Sequence, residues 1–304
     1  MQVGDLTLYD SLAGTLNADQ SSINTLDQEL SSGLALQQPS DDPVAVVNAL
    51  ADQSQISQLT STTNSATTAS SWLGLANNTA NSVINTLQTA NSLMLQALNE
   101  GSQNSGSYQQ IAQQVQGVVQ QLVSLGNTDY AGTPIFAGTA GVSTPYTGNA
   151  SSGVTYNGNE QSFTIQVGPG APTAVSVPGT DLFGGGTTGI QSVFTTLQNF
   201  ITHLDAGPGA TSETNIQSDL TALTANMSQA ETAATTLGES SQEVTSASTA
   251  ATSTSAAVQK NLASTEDANV ADVTTQLQAQ LASYQSALYA VSQTVPETLA
   301  QFLK

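Results

Sequence analysis

Few residues in this chain could do chemistry, so each can be weighed singly. In LQQPSDDPVAVVNAL, residues 36–50, two adjacent aspartates lie between two prolines. Paired carboxylates can hold a hard cation, but such ions need several converging oxygens, and no further acids flank Asp41 and Asp42 at calcium-loop spacing. Asp at the N-cap followed by Pro at N1 starts a helix instead. The carboxylate accepts from free backbone N–H groups at the positive end of the dipole, and Pro43 has no N–H to leave unsatisfied. Asp42 and Pro43 are assigned as a helix cap.

His203 is the only histidine and would have to centre any imidazole chemistry. Its surroundings, FITHLDAG, place it near a helix C-terminus, where a protonated ring favours the dipole; no serine elbow or metal-binding companion is near in sequence. The glycine-rich stretches GPGAP and FGGGTTG lack the pattern and the strand-turn-helix context of a phosphate loop, and read as loops. Trp72 suits either an interface anchor or an ordinary contact between helices. With no cysteine, thiol nucleophiles and zinc-thiolate sites are excluded. No residue is assigned a catalytic, cofactor-binding or metal role, and the expectation is a protein that is not an enzyme and needs no cofactor.

Charged residues make up 8% of the chain, against roughly 25% in an average globular protein. The formal charge of -20 arises from 22 acids against two lysines, Lys260 and Lys304, with no arginine. Without a basic patch, nucleic-acid and membrane-surface binding are disfavoured. The first residues, MQVGDLTLYDSLAG, have neither a basic region nor an apolar core, so the expectation is export without a cleaved signal peptide.

Steps of three and four dominate both ends. Leu12, Leu16, Ile23, Leu26 and Leu30 form a narrow apolar seam with Asp19 at the skipped position, and Val273, Leu277, Leu281, Tyr284, Leu288 and Val291 form another. Leu73, Ala76, Ala80, Val83, Leu87, Ala90 and Met94 predict a long helix. If continuous from Val44 to Glu100 it spans about 85 Å, with Gly101 and Gly106 at its end. Tyr108 to Leu125 continues the period. Thr133 to Gly186 turns rich in Gly, Pro, Thr and Val, with VTYNGNEQSFTIQV predicted as two strands around an Asn157-Gly158 turn. Helical period returns at Ile190, and from Ile216 to Leu262 one heptad phase holds, with Ser241, Ser248 and Ser255 on alternate seam positions. Pro296 is expected to bend or restart the last helix.

Four stretches together carry a family likeness: LSSGLALQQPSDDPVAVVNALADQSQISQLTSTTNSATTASSWL, YAGTPIFAGTAG, VTYNGNEQSFTIQVGPG, and EDANVADVTTQLQAQLASYQSALYAVSQTV. In this order they resemble the flagellar hook-filament junction proteins, the hook-associated protein 3 family of the flagellin superfamily. VPETLAQFL also resembles a flagellin C-terminus, whereas PSDDPVA and IFAGT are closer to the junction proteins. Where relatives commonly carry basic residues after LSSG, this chain has Leu34 and Ala35.

The resemblance implies a mainly α, elongated coiled-coil rod with a small central β-rich insert. Its parts are an inner-tube helix at 1–42, rod halves at 43–132 and 189–266, an outer β-rich domain at 133–188, and a second inner-tube helix at 267–304. It also implies a structural component of the extracellular bacterial flagellum, assembled as a homo-oligomeric ring between hook-associated protein 1 and flagellin. A cytoplasmic export chaperone and the flagellar type III channel would precede assembly. A flagellin-type filament subunit is the alternative, and a secreted adhesin or hydrolase would need features that the sequence does not display.

Overall fold

In the computed structural model, residues 2–100, 105–170, 172–186 and 189–302 are described, and within these ranges side chains from 10 to 99 and from 105 to 292. Helix α1 runs Gln2–Ser32, α2 Pro43–Glu100, α3 Ser105–Gly126, α4 Gly179–Phe183, α5 Val193–Asp205, α6 Ala210–Glu266 and α7 Val270–Phe302. Between α3 and α4 lie six short strands: β1 Asp129–Tyr130, β2 Thr133–Pro134, β3 Tyr146–Asn149, β4 Gly153–Tyr156, β5 Thr164–Ile165 and β6 Thr173–Ala174. They pair as three separate antiparallel hairpins, β1-β2, β3-β4 and β5-β6. The protein is therefore mainly α, with a small β-rich insert. No helix among the described residues is long and apolar enough to cross a membrane.

The chain divides into two compact units, one of Met1–Leu59 with Thr254–Lys304, the other of Thr60–Ser253. In the first, α1 packs against α7. Gly33 ends α1 in the left-handed region at φ 73°, and its N–H donates to Glu29 O at 2.8 Å, which closes the last turn. The chain after this turn is fastened to the α6-α7 junction. Ala35 N donates to Glu266 O (2.7 Å), Ala268 N donates to Gly33 O (2.9 Å), and Leu34 bridges Asp267. Leu34 and Ala35 thus act through their backbone.

The second unit holds the larger core. All seven residues from Leu73 to Met94 that carry the three-four period of α2 are fully buried. In α6, Ile216, Leu223, Ala230, Leu237 and Val244 recur every seventh residue and are buried against the same core, while Ser241, between Leu237 and Val244, and Ser248, just beyond Val244, are half-buried. Tyr108, Ile111, Val115 and Leu122 supply the α3 face, which packs on α5.

The insert departs from the predicted pairing. Val154 to Tyr156 is a strand, but its partner is β3, with Tyr146 opposite Tyr156 and Asn149 opposite Gly153. The turn is Ala150–Ser152, where Asn149 Oδ1 accepts from Ser151 N (2.9 Å) and Ser152 N (3.0 Å). Asn157 extends the hairpin instead of turning it, donating through its backbone to Pro145 O and through Nδ2 to Thr147 Oγ1. Asn127 fixes β3 from the other side: its amide donates to Tyr146 O (2.7 Å) and accepts from Tyr146 N (2.8 Å), replacing a strand neighbour. The β1-β2 turn has positive φ at both Ala131 and Gly132, the geometry that matches strand twist in a two-residue loop. Gly106 lies in the first turn of α3 and not at the end of α2, Gly101 lies outside the described residues, and α7 continues through Pro296.

Candidate functional site

At the start of α2, Asp42 Oδ1 accepts from Val44 N and Ala45 N, both at 3.0 Å. Asp41 does the same for the loop before it, with Oδ2 accepting from Gln37 N (3.1 Å) and Gln38 N (2.8 Å). Both carboxylates are committed to backbone donors. Pro43 is the first residue of α2, so the cap geometry orders the chain between α1 and α2.

Along α1 and α7, Ile23 and Val273 are buried, and Leu12, Leu16, Leu26, Leu277, Tyr284 and Val291 are half-buried. Leu30, Leu281 and Leu288 remain 37%, 40% and 45% exposed. The pairing of two helices covers one side of each seam only. Asp19 is buried at the seam, where its carboxylate accepts from Gln280 Nε2 (2.7 Å) and Ser283 Oγ (3.3 Å). A polar group at such a position sets register, because sliding α7 would leave a buried carboxylate unsatisfied.

Sequence reasoning missed a second apolar face in the same unit. Val44, Val47 and Leu50 are all at least 66% exposed, and their three-residue spacing puts them on one side of the first turns of α2. The spacing itself was a readable sign, since a core helix would have buried it. Exposed apolar side chains in this number on one unit mark a surface that other molecules cover.

His203 lies in the last turn of α5 and is joined to α6, with Nδ1 2.6 Å from Asp219 Oδ2. Burial raises the Asp219 pKa, and the hydrogen bond and charge of His203 partly oppose the rise. The ring therefore clasps two helices in addition to any effect on the dipole. Trp72 is buried within the chain between Tyr130 and Phe163, at ring centroid distances of 5.5 and 5.1 Å. The glycine loops are held by local bonds: Gln166 Nε2 donates to Gly168 O and Gly170 O, and Gly185 N donates to Ile190 O (3.0 Å).

Residues 4–141 of this chain match the bacterial flagellin N-terminal helical region. More particularly, the chain is similar to a flagellar hook-associated protein. It is 27% identical over 184 residues to flagellar hook-associated protein 3 of Salmonella typhimurium, a match covering 60% of this chain and 57% of that protein. The matched part thus spans a little over half of the relative's length. In fold, it is similar to a flagellar hook-associated protein of Vibrio parahaemolyticus, with a TM-score of 0.67 and 16% identity over 75% of this chain and 100% of that one. It is also similar to a flagellar junction protein of Legionella pneumophila, at 0.60 and 16% over 71% and 100%.

Proposed function

We propose that this chain is a structural adaptor of the bacterial flagellum that joins hook to filament, without catalytic activity. The observation that carries this reading is the unit built from both chain ends, whose α1-α7 seam and α2 stripe leave apolar residues open to solvent. Such faces gain stability only when neighbouring subunits cover them. In this reading, copies of the chain form a ring, with hook-associated protein 1 on one side and flagellin on the other. An export chaperone would shield the same apolar ends in the cytoplasm. The likeness to hook-associated protein 3 of Salmonella typhimurium supports the junction over the filament itself.

Deletion of the gene in its source bacterium tests this directly. An adaptor predicts hooks that persist while flagellin is shed into the medium. Loss of the filament with no flagellin in the medium would identify the chain as the filament subunit, and intact filaments would overturn a flagellar role.

A further inference from the structure

The chain contains a single Asn-Gly pair, Asn157-Gly158, in the insert and apart from the junction role. Asparagine followed by glycine is chemically labile, because glycine has no side chain to keep its backbone nitrogen from reaching the preceding side chain. Asn157 is exposed and directly follows β4. The Gly158 N–H has no acceptor among the described residues, so no hydrogen bond holds it back from reaction. Asn64, Asn81 and Asn91, each followed by serine, differ: all lie inside α2, where the next N–H is committed to the helix ladder. Asn104, also followed by serine, lies outside the described residues.

The fold explains why glycine stands at 158. A Cβ there would lie 2.3 Å from Tyr156 Oη and 2.7 Å from Ala137 O. Both atoms are pinned: the Tyr156 hydroxyl is shared between Phe136 O and Asn159 O, each at 2.9 Å, and Ala137 O accepts from Asn159 N (3.1 Å). A larger residue, which would slow the reaction, is therefore excluded by packing. What the hairpin does control is the reacting side chain. Asn157 Nδ2 donates to Thr147 Oγ1 (3.0 Å) and Asn157 N donates to Pro145 O (2.8 Å), so the side-chain amide is anchored to the facing strand. Ring closure needs Asn157 Cγ turned toward Gly158 N, and the bond to Thr147 must break first.

We propose that Asn157 is a deamidation site of this chain and that its bond to Thr147 sets the rate. The Gly158 nitrogen loses its proton to base in solution and attacks Asn157 Cγ. The Cγ–Nδ2 bond breaks, Nδ2 takes up a proton and leaves as ammonia, and a five-membered succinimide remains. Water opens either of its carbonyls, giving aspartate or isoaspartate at 157. Both products add a negative charge. Isoaspartate also lengthens the main chain by one carbon just before Gly158, where Tyr156 and Ala137 leave no room, so this product loosens the insert around Tyr156.

Peptide mapping of the full-length chain, aged near pH 8 with aspartate and isoaspartate separated, tests this. Asn157 is expected to convert faster than Asn64, Asn81 and Asn91, with isoaspartate the larger product, and to convert more slowly near pH 4, where base to deprotonate the Gly158 nitrogen is scarce. Thr147 is exposed, so Thr147→Val removes the acceptor at similar volume, with circular dichroism to show the variant folded. It should speed conversion in the folded chain about two- to tenfold, the worth of one hydrogen bond. In urea, where the hairpin is open, parent and variant should convert at one rate. Asn157 intact while asparagines of α2 convert, aspartate as the sole product, or a folded Thr147→Val variant no faster than the parent would each overturn the proposal. A difference between the two that persists in urea would also overturn it, since the anchor would then not be the cause.

Discussion

At the scale of single residues, two carboxylates with opposite behaviour make contrasting tests. Asp42 accepts two backbone N–H bonds at the start of α2, so Asp42→Ala should lower stability by ~1 kcal/mol, measured by chemical denaturation. Calorimetry with added calcium should show no stabilisation that the variant abolishes, because the oxygens already serve the backbone. Asp181 is the reverse case. Its pKa is raised, first by burial and then by Glu160, so its stabilising contribution is complete below the ordinary carboxylate pKa and is lost as pH rises through the raised value. Asp181→Asn should therefore melt higher than the parent at pH 7, by roughly 1–3 °C, and the gap should close below about pH 4. A gap that widens in acid would show that the charge is stabilising, through the dipole of the short α4 or otherwise. The cap was legible in the sequence because it is local, two aspartates and a proline in a row. The His203-Asp219 clasp was not, because its members meet only through the packing of α5 on α6.

Between elements, the same three-four spacing has two outcomes, and the difference can be measured. Leu87 is fully buried in α2, and Leu87→Ala should cost about 2–5 kcal/mol in monomer stability through lost burial and the cavity left behind. Leu288 is 45% exposed in α7. Leu288→Ser should leave monomer stability within ~0.5 kcal/mol yet weaken assembly, read as reduced complex in sedimentation with the purified partners. Equal loss of stability in both variants would mean that the α1-α7 seam is complete without neighbours. The spacing identifies the face of a helix that will be covered; it does not say whether the same chain or another covers it. Helices such as α2 and α6 are readable because each turn repeats the same local choice. The insert is harder, since its strands are two to four residues long and too short for alternation to specify a partner. β3 is chosen by Asn127 and by the ring cluster of Tyr146, Phe183 and Phe194, contacts that no window around Tyr146 contains.

For the whole molecule, charge decides under which conditions copies can meet. At neutral pH each chain carries a formal charge of -20 with two lysines for relief, and packing such subunits side by side is self-repulsive. Among the described residues the one ion pair given by the geometry is His203 with Asp219, inside a single chain. Below the ordinary carboxylate pKa of about 4, most acids are neutral. Lys260, Lys304, His203 and the terminal amine then leave only a small positive charge. The apolar seams are unaffected by this change, so acid removes the repulsion and keeps the attraction. Asp181 and Asp219 act in the same direction within the fold, since burial raises both pKa values and favours their protonated forms. Adaptation to high salt would also screen repulsion, but it normally raises the density of acids, and 22 in 304 residues is modest. Assembly of the purified chain with its partners should therefore be tighter near pH 3 than at pH 7. Added salt at pH 7 should recover part of the difference, because a Debye length of about 3 Å at 1 M screens charges on adjoining surfaces. Sedimentation across pH and salt measures both effects. Assembly equal or weaker in acid would separate the lack of arginine from any electrostatic role in assembly, and would place the control of association in the apolar faces of α1, α2 and α7 alone.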